Sequence, residues 1–212
     1  MIGAFEVMIG FLAMLGMMAV GIHIAVAIFA VATLGTLMYL GTPLLFSFGD
    51  TLWGTLNDFI LTAIPLFILL GELLLRSGIT ERMYSALSVW LDRLPGGLLH
   101  TNIGASSVFA AMSGSSVATA ATIGTVALPA FAERGYSERL ALGTLAAGAT
   151  LGILIPPSIN MIIYGAITNT SIGKLFIAGI LPGLALAGAF MLTIMAFALM
   201  RPGVVGKASG RA

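Results

Sequence analysis

"GATLGILIPPSINMIIYGAITNT", residues 148–170, is apolar enough to lie in a membrane, yet it carries Pro156 and Pro157 side by side, followed by Ser158 and Asn160. Proline has no N–H, so the carbonyls of Gly152 and Ile153 lose their usual helical donors. It also drives the preceding residue, Ile155, out of helical geometry. The pattern predicts one helix ending near residues 153–155 and a second starting at Pro157, where proline suits a first turn. Free carbonyls and the N–H groups of Ser158, Ile159 and Asn160 then face the gap. Such a break is tolerated at membrane depth only where protein or a wet cavity surrounds it. A single proline in a membrane helix is commonly a packing kink. A Pro-Pro pair, in a chain with a second polar interruption, argues for more.

The composition sets the class. The 212 residues are 59% hydrophobic and 8% charged, and the mean hydropathy is +1.10. Soluble domains carry about 25% charged residues, so this is an integral membrane protein. Cysteine is absent and the net charge is +1, which leaves no disulfide framework and no basic patch for nucleic acid. No GxxxxGK[ST] loop points to ATP hydrolysis. The N-terminal "MIGAFEVMIG" has no Lys or Arg and reads as a first membrane helix, not a cleaved signal, with Glu6 as a solvated end residue.

Segment boundaries follow from charge and breakers. Residues 7–48 lack Asp, Glu, Lys and Arg; as helix they would run about 60 Å, so they cross twice, with "VGIHIA" (20–25) as the turn. Residues 1–58 are thus two scaffold-like membrane helices and an interfacial segment containing Pro43, Asp50, Trp53 and Asp58. Residues 59–100 hold a third membrane helix and an amphipathic arm, with Met83, Leu87, Trp90, Leu91 and Leu94 on one face, stopped by Pro95-Gly96-Gly97. The arm reads equally as a helix packed on its neighbours. Residues 101–132 form a small-residue hairpin around "SGSS", and 133–168 a polar turn ("ERGYSER", 133–139) and the broken helix. Residues 169–200 are a last membrane helix, and 201–212 a polar tail.

Nine Lys and Arg residues orient these segments. Arg76, Arg82 and Arg93 precede the 101–132 segment; Arg134 and Arg139 follow it. A straight crossing would put one cluster outside, whereas a re-entrant hairpin keeps both in the cytoplasm. Residues 102–112 make a rod of about 16 Å, half the hydrocarbon core, so the tip should reach the midplane. The N-terminus is then periplasmic and the C-terminus, with Arg201, Lys207 and Arg211, cytoplasmic; only Lys174 lies outside.

The hairpin repeats the logic of the break. In "MSGSSVATAATIG" (112–124), Gly114 permits the reversal and Ser115 or Ser116 can cap the returning helix. Two half-helix N-termini would converge and suit a carboxylate; free carbonyls and hydroxyls beside them suit Na⁺. Thr119, Thr122, Thr125 and Thr150 stay unassigned, because such residues often bond only their own backbone. The Gly148/Gly152 and Gly179/Gly183 pairs read as close helix contacts. Glu72 and Arg76 read as an i,i+4 ion pair, with proton carriage by Glu72 as the lesser reading, and His23 and His100 as interfacial structure.

Five pieces together resemble a known family: "AIPLFILLGELLLRSGITERM" (63–83), "RLPGGLLHTNIGASSVFAAMSGSSVATAATIG" (93–124), "LPAFAERGYSERLA" (128–141), "GILIPPSINMIIYG" (152–165) and "SIGKLFIAGILPG" (171–183). In this order they resemble the N-terminal half of the large membrane subunit (DctM-type permease) of tripartite ATP-independent periplasmic (TRAP) transporters. Residues 1–58 match only in hydropathy, and His23 stands where the family usually has a proline.

The resemblance implies an all-α polytopic protein of the bacterial inner membrane. It would be one inverted-repeat half of an elevator-type transporter, with a re-entrant helical hairpin and a discontinuous helix. It implies Na⁺-coupled uptake of an organic acid, such as a C4-dicarboxylate or sugar acid. The implied partners are a periplasmic binding protein and a small membrane subunit; no cofactor is needed beyond Na⁺ as coupling ion. It places a Na⁺ site on Ser113, Gly114, Ser115, Gly152, Ile153 and Pro156. One side of a substrate site falls on Ser115, Ser116, Ser158 and Asn160. The family's second repeat is not in these 212 residues, so a fragment or split subunit is expected, with a non-transporting scaffold as the alternative. An intramembrane serine hydrolase using Ser113, Ser115 or Ser116 needs a base within hydrogen-bond reach; neither histidine is expected near the tip, so catalysis is not expected.

Overall fold

The computed structural model describes residues 4–200. The tail 201–212, expected in the cytoplasm, lies outside the described residues. The chain separates into two compact units, Met1–Asn57 and Asp58–Ala212. Every described element is helical.

In the first unit, α1 (Ala4–Ala19) and α2 (Ile24–Tyr39) are joined by the expected turn. His23 stands at the start of α2, its Nδ1 accepting from the Ala25 N–H at 3.3 Å. The imidazole thereby does the capping work that opens a helix. The expected interfacial segment is α3 (Pro43–Leu56), with proline in its first turn. The Thr51 and Thr55 hydroxyls bond carbonyls of their own helix.

The second unit begins with a 3₁₀ turn (Phe59–Thr62) leading into α4 (Ala63–Arg76), which bends by 69° into α5 (Ile79–Leu91). Then come α6 (Leu98–Ser113), α7 (Ser116–Glu133), α8 (Glu138–Leu154), α9 (Ile159–Thr168) and α10 (Ile172–Met200). Three stretches are long and apolar enough to cross a membrane: α7, the α8–α9 pair and α10; the bent α4–α5 pair makes a fourth if it is one span.

α6 is the centre. It is buried on nearly all sides, with Leu98, Leu99, Ile103, Ala105, Phe109 and Ala110 in the core. It also buries His100, Thr101, Asn102, Ser106 and Ser113. A buried polar group needs a partner, and neighbouring elements supply several. Asn102 Nδ2 donates to Thr144 Oγ1 at 3.0 Å, and Thr101 Oγ1 to Asp92 Oδ1 at 3.4 Å. His100, in the first turn of α6, has a structural role: its ring is buried, and Nε2 donates to the Pro95 carbonyl at 2.9 Å.

The base of the hairpin is tied by side chains. Asp92, at the end of α5, pairs with Arg134 at the end of α7 and accepts from Thr101 in the first turn of α6. The Tyr136 hydroxyl accepts from the Leu98 N–H at 3.2 Å. The start of α6 and the end of α7 are thus held together, with Gly114 at the far end, so the two helices form a hairpin. Its arms are longer than expected: 16 and 18 residues, or about 24 and 27 Å. Helix begins directly after the Pro95-Gly96-Gly97 stop and runs unbroken to Ser113, so arm length alone does not set the tip at the midplane. α5 packs Tyr84, Met83 and Leu87 onto this hairpin, while Trp90, expected on the same face, is 75% exposed.

Candidate functional site

The tip obeys local rules. α6 ends at Ser113, Gly114 turns left-handed (φ 62°), and extended Ser115 caps α7 through an Oγ that accepts from the Ala118 N–H at 3.3 Å. Thr119 Oγ1 lies 2.7 Å from the Ser115 carbonyl and 3.3 Å from Ser113 Oγ. The carbonyl can only accept, so the Thr119 proton goes there and Ser113 Oγ donates to Thr119. Ser113 Oγ also accepts from the Ser115 N–H at 3.5 Å, which leaves one of its two lone pairs free.

The break meets this tip backbone to backbone. The Ile159 N–H donates to the Gly114 carbonyl at 3.1 Å. A Cβ on Gly114 would sit 2.7 Å from the Pro157 oxygen, and a Cβ on Gly152 would sit 2.7 Å from both Ser115 C and Ser116 N. The carbonyl ends of α6 and α8 and the amide ends of α7 and α9 therefore converge. Carbonyl ends favour a cation and amide ends an anion, so one contact offers both kinds of ligand.

Ser113, Gly114, Gly152 and Ser158 are buried; Ser115, Ser116 and Pro156 are half-buried; Ile153 and Asn160 are exposed. Ser158 Oγ is buried and has no hydrogen-bond partner among the described residues. α8 ends at Leu154, with Ile155 extended as proline demands. The second half-helix does not begin at Pro157: extended Ser158 precedes it and Ile159 is its first residue. Extended Ser158 turns this backbone onto the tip, where the Pro157 carbonyl and the Ile159 N–H meet Gly114. One N–H expected to be free, that of Ile159, is thereby used.

The glycine pairs are close contacts, as their spacing suggests. A Cβ on Gly148 would touch Ser106 Oγ at 2.5 Å; on Gly179 it would lie 2.9 Å from the Leu154 carbonyl, and on Gly183 2.9 Å from the Ile155 side chain. α8 thus presses on the hairpin, and α10 backs the break.

Two residues near the tip carry more than sequence reasoning assigned. Thr119 is fully buried at the tip; its spacing of four from Ser115 was the available signal. Glu72 forms the expected pair with Arg76 at 2.6 Å. It also lines a cavity of about 230 Å³ with Ser113, Ser115 and Thr122. No local signal joins residue 72 to residue 113, because α4 reaches the tip only through the fold. Among the described residues no group of three or more His, Asp or Glu side chains gathers as for a transition metal. The oxygens at the tip are hydroxyls and carbonyls, which match a hard cation. His100 lies at the opposite end of α6 from Ser113, about 20 Å along the helix, and gives the tip serines no base.

The tip–break bond has a direct test. Proline at position 159 fits the first turn of α9, and extended Ser158 (φ −126°, ψ 131°) already has the geometry that a following proline requires. Ile159→Pro therefore removes one N–H and leaves the Gly114 carbonyl unpaired. We expect a loss of about 1–3 kcal/mol of stability, read by unfolding in detergent against Ile159→Val, which keeps the N–H. Equal unfolding of the two variants would show that the bond contributes nothing.

A family model described as "Tripartite ATP-independent periplasmic transporter, DctM component" matches residues 11–209. The chain is 38% identical over 201 residues to the sialic acid TRAP transporter permease protein SiaT of Haemophilus influenzae, covering 90% of this chain and 31% of that protein. It is 37% identical over 183 residues to the C4-dicarboxylate TRAP transporter large permease protein DctM of Vibrio cholerae, covering 86% and 40%. It is 36% identical over 174 residues to the isethionate TRAP transporter permease protein DctMQ of Oleidesulfovibrio alaskensis, covering 82% and 27%. The chain spans between about a quarter and two-fifths of the length of these relatives.

Proposed function

The chain belongs to the DctM-component family of tripartite ATP-independent periplasmic transporters, and from that premise we propose that it forms the hairpin-and-break half of a permease for Na⁺-coupled uptake of an organic acid. It is a multi-pass membrane protein of a transporter family, not an enzyme. The observation that carries the proposal is the backbone contact between the tip at Gly114 and the break at Pro157–Ile159.

In this reading the carbonyl ends at Ser113, Gly114, Ser115, Gly152, Ile153 and Pro156 hold Na⁺. Ser115, Ser116, Ser158 and Asn160 contribute one side of the site for the acid. Charge stabilisation works in both directions. A bound cation offsets the two carbonyl ends, and an anion beside it meets the amide ends of α7 and α9. Asn160 is exposed and Ser116 half-buried, and further permease structure would complete the site around them. A periplasmic binding protein delivers the acid, and a small membrane subunit joins the permease. The hairpin enters and leaves from the cytoplasm, the N-terminus is periplasmic, and the moving part follows an elevator path. The relatives are named for sialic acid, C4-dicarboxylates and isethionate. Each of these is an organic anion, and a further relative from Halomonas elongata is named for ectoine, a zwitterion that also carries a carboxylate; the shared carboxylate or sulfonate supports the substrate class and leaves the member open.

The test is uptake of radiolabelled succinate, sialic acid and isethionate by cells carrying the transporter, in Na⁺ medium and with Na⁺ replaced by K⁺. We expect uptake of one acid to fall at least tenfold on replacement and to persist when ATP is depleted but the Na⁺ gradient is clamped. Uptake indifferent to Na⁺ would reject the coupling ion. Absence of uptake for all three acids would exclude them as substrates.

A further inference from the structure

We propose that the cavity between α4 and the hairpin tip is a cation-capture site, in which the Glu72 carboxylate receives hydrated Na⁺ before the ion reaches the carbonyl ends of the break. The proposal rests on the coupling-ion reading above and adds to it a residue and a place of entry.

The geometry is specific. α4 lies against the tip at Gly71, where an added Cβ would be 3.6 Å from Ser113 Cβ. That is ordinary van der Waals contact, and the next residue, Glu72, borders the cavity. Its walls are otherwise mostly apolar, with Phe67, Ile68 and Leu75 from α4, and its polar groups are Glu72, Ser113, Ser115 and Thr122. Glu72 is the one charged residue among the cavity's lining residues. A carboxylate beside apolar walls repels an organic acid and attracts a cation more strongly than it would in open water. Ser113 Oγ, its proton directed to Thr119 and one lone pair taken by the Ser115 N–H, adds an oxygen with one free lone pair.

The cavity holds about 230 Å³, which is room for an ion together with several waters. The amide end of α7 opposes the ion, but Ser115 Oγ already accepts one of its N–H groups, that of Ala118. Arg76 is the competing cation. Its side chain is 79% exposed and that of Glu72 48%, and exposed pairs of this kind are weak and screened. Na⁺ can therefore take over the carboxylate while the guanidinium swings into solvent.

The experiment is a thermal-unfolding titration of the purified permease in detergent, with NaCl against choline chloride at constant ionic strength. Wild type, Glu72→Gln and Arg76→Gln are compared. We expect Na⁺ to raise the wild-type melting temperature. The half-saturating concentration should rise at least tenfold in Glu72→Gln, and stay unchanged or fall in Arg76→Gln, which frees the carboxylate. Both substitutions break the same ion pair, so a purely structural role would affect them alike, and equal Na⁺ responses in the two would overturn the proposal. A Glu72→Gln response equal to wild type would overturn it while leaving Na⁺ coupling intact. A wild type that ignores Na⁺ would overturn the coupling reading as well.

Discussion

Gly152→Ala is expected to lower the stability of the protein by about 2–3 kcal/mol, the upper part of the range for overpacked sites. Elsewhere in a helix the same substitution gains up to about 1 kcal/mol, because alanine loses less chain entropy than glycine. The reversal of sign comes from what the new methyl meets. It would lie 2.7 Å from Ser115 C, 2.7 Å from Ser116 N and 2.8 Å from the Ser115 carbonyl oxygen. These are backbone atoms, and no rotamer change moves them aside. Either α8 or the hairpin tip must shift, and the shift pulls against the Ile159–Gly114 hydrogen bond one residue away from Ser115. Gly143 on the same helix is the control, since a Cβ there meets nothing within 4 Å. Gly143→Ala should leave the melting temperature unchanged or raise it. At about 2–4 °C per kcal/mol for a chain of this size, Gly152→Ala should lower it by roughly 4–12 °C. Substrate uptake should fall with it if the tip and the break jointly hold the ion. Equal melting temperatures for the two alanine variants would mean that the close approach at Gly152 is not part of the folded protein.

This contact also shows where sequence reading ends. The reversal at Gly114, the Ser115 cap and the end of α8 before Pro156 are local events, set by backbone conformations and donors that a few adjacent residues decide. They were legible, as was the ion pair between Glu72 and Arg76. The start of α9 was misread by two residues because it depends on a partner far away in the chain. Proline chemistry alone permits a helix from Pro157; in the fold Ser158 is extended instead, and Pro157–Ile159 pack against Gly114. Glu72 reads from sequence only as the ion-pair partner of Arg76 for a similar reason. Its spacing from Arg76 is visible in sequence, whereas its place beside Ser113 exists only after α4 packs on the hairpin. Charge bias suggested a hairpin because both flanks of 101–132 are basic. The structure pairs α6 and α7 as a helical hairpin, tied at its base by the Asp92–Arg134 pair and the Tyr136 hydroxyl, neither of which any motif announces; which side of the membrane that base faces is part of the proposal.

The two glycines in this contact act by different means, and that difference makes a second large effect separable. Gly114→Ala is expected to cost more than Gly152→Ala, about 2–4 kcal/mol, because it combines left-handed strain with a steric wedge. The conformational part can be measured alone. Gly135, in the turn before α8, has φ 68°, and a Cβ there meets nothing within 4 Å. Gly135→Ala should therefore cost only about 1–2 kcal/mol, the price of a left-handed alanine. The excess in Gly114→Ala reports the wedge. That wedge points at the Pro157 carbonyl, 2.7 Å from the added carbon, with the Ile159 nitrogen and Ser158 Cα both at 3.4 Å. Relieving it moves Pro157 away from the tip and stretches the bond that holds Ile159 to the same residue. Gly114→Asn sharpens the comparison, since asparagine tolerates the left-handed region but keeps the wedge; it should recover only the conformational part. If Gly114→Ala and Gly135→Ala unfold with equal loss, residue 114 is an ordinary turn glycine. An excess that Gly114→Asn retains and Gly135→Ala lacks places the Pro-Pro segment against the hairpin tip, the arrangement from which both the coupling ion and the acid would take their ligands.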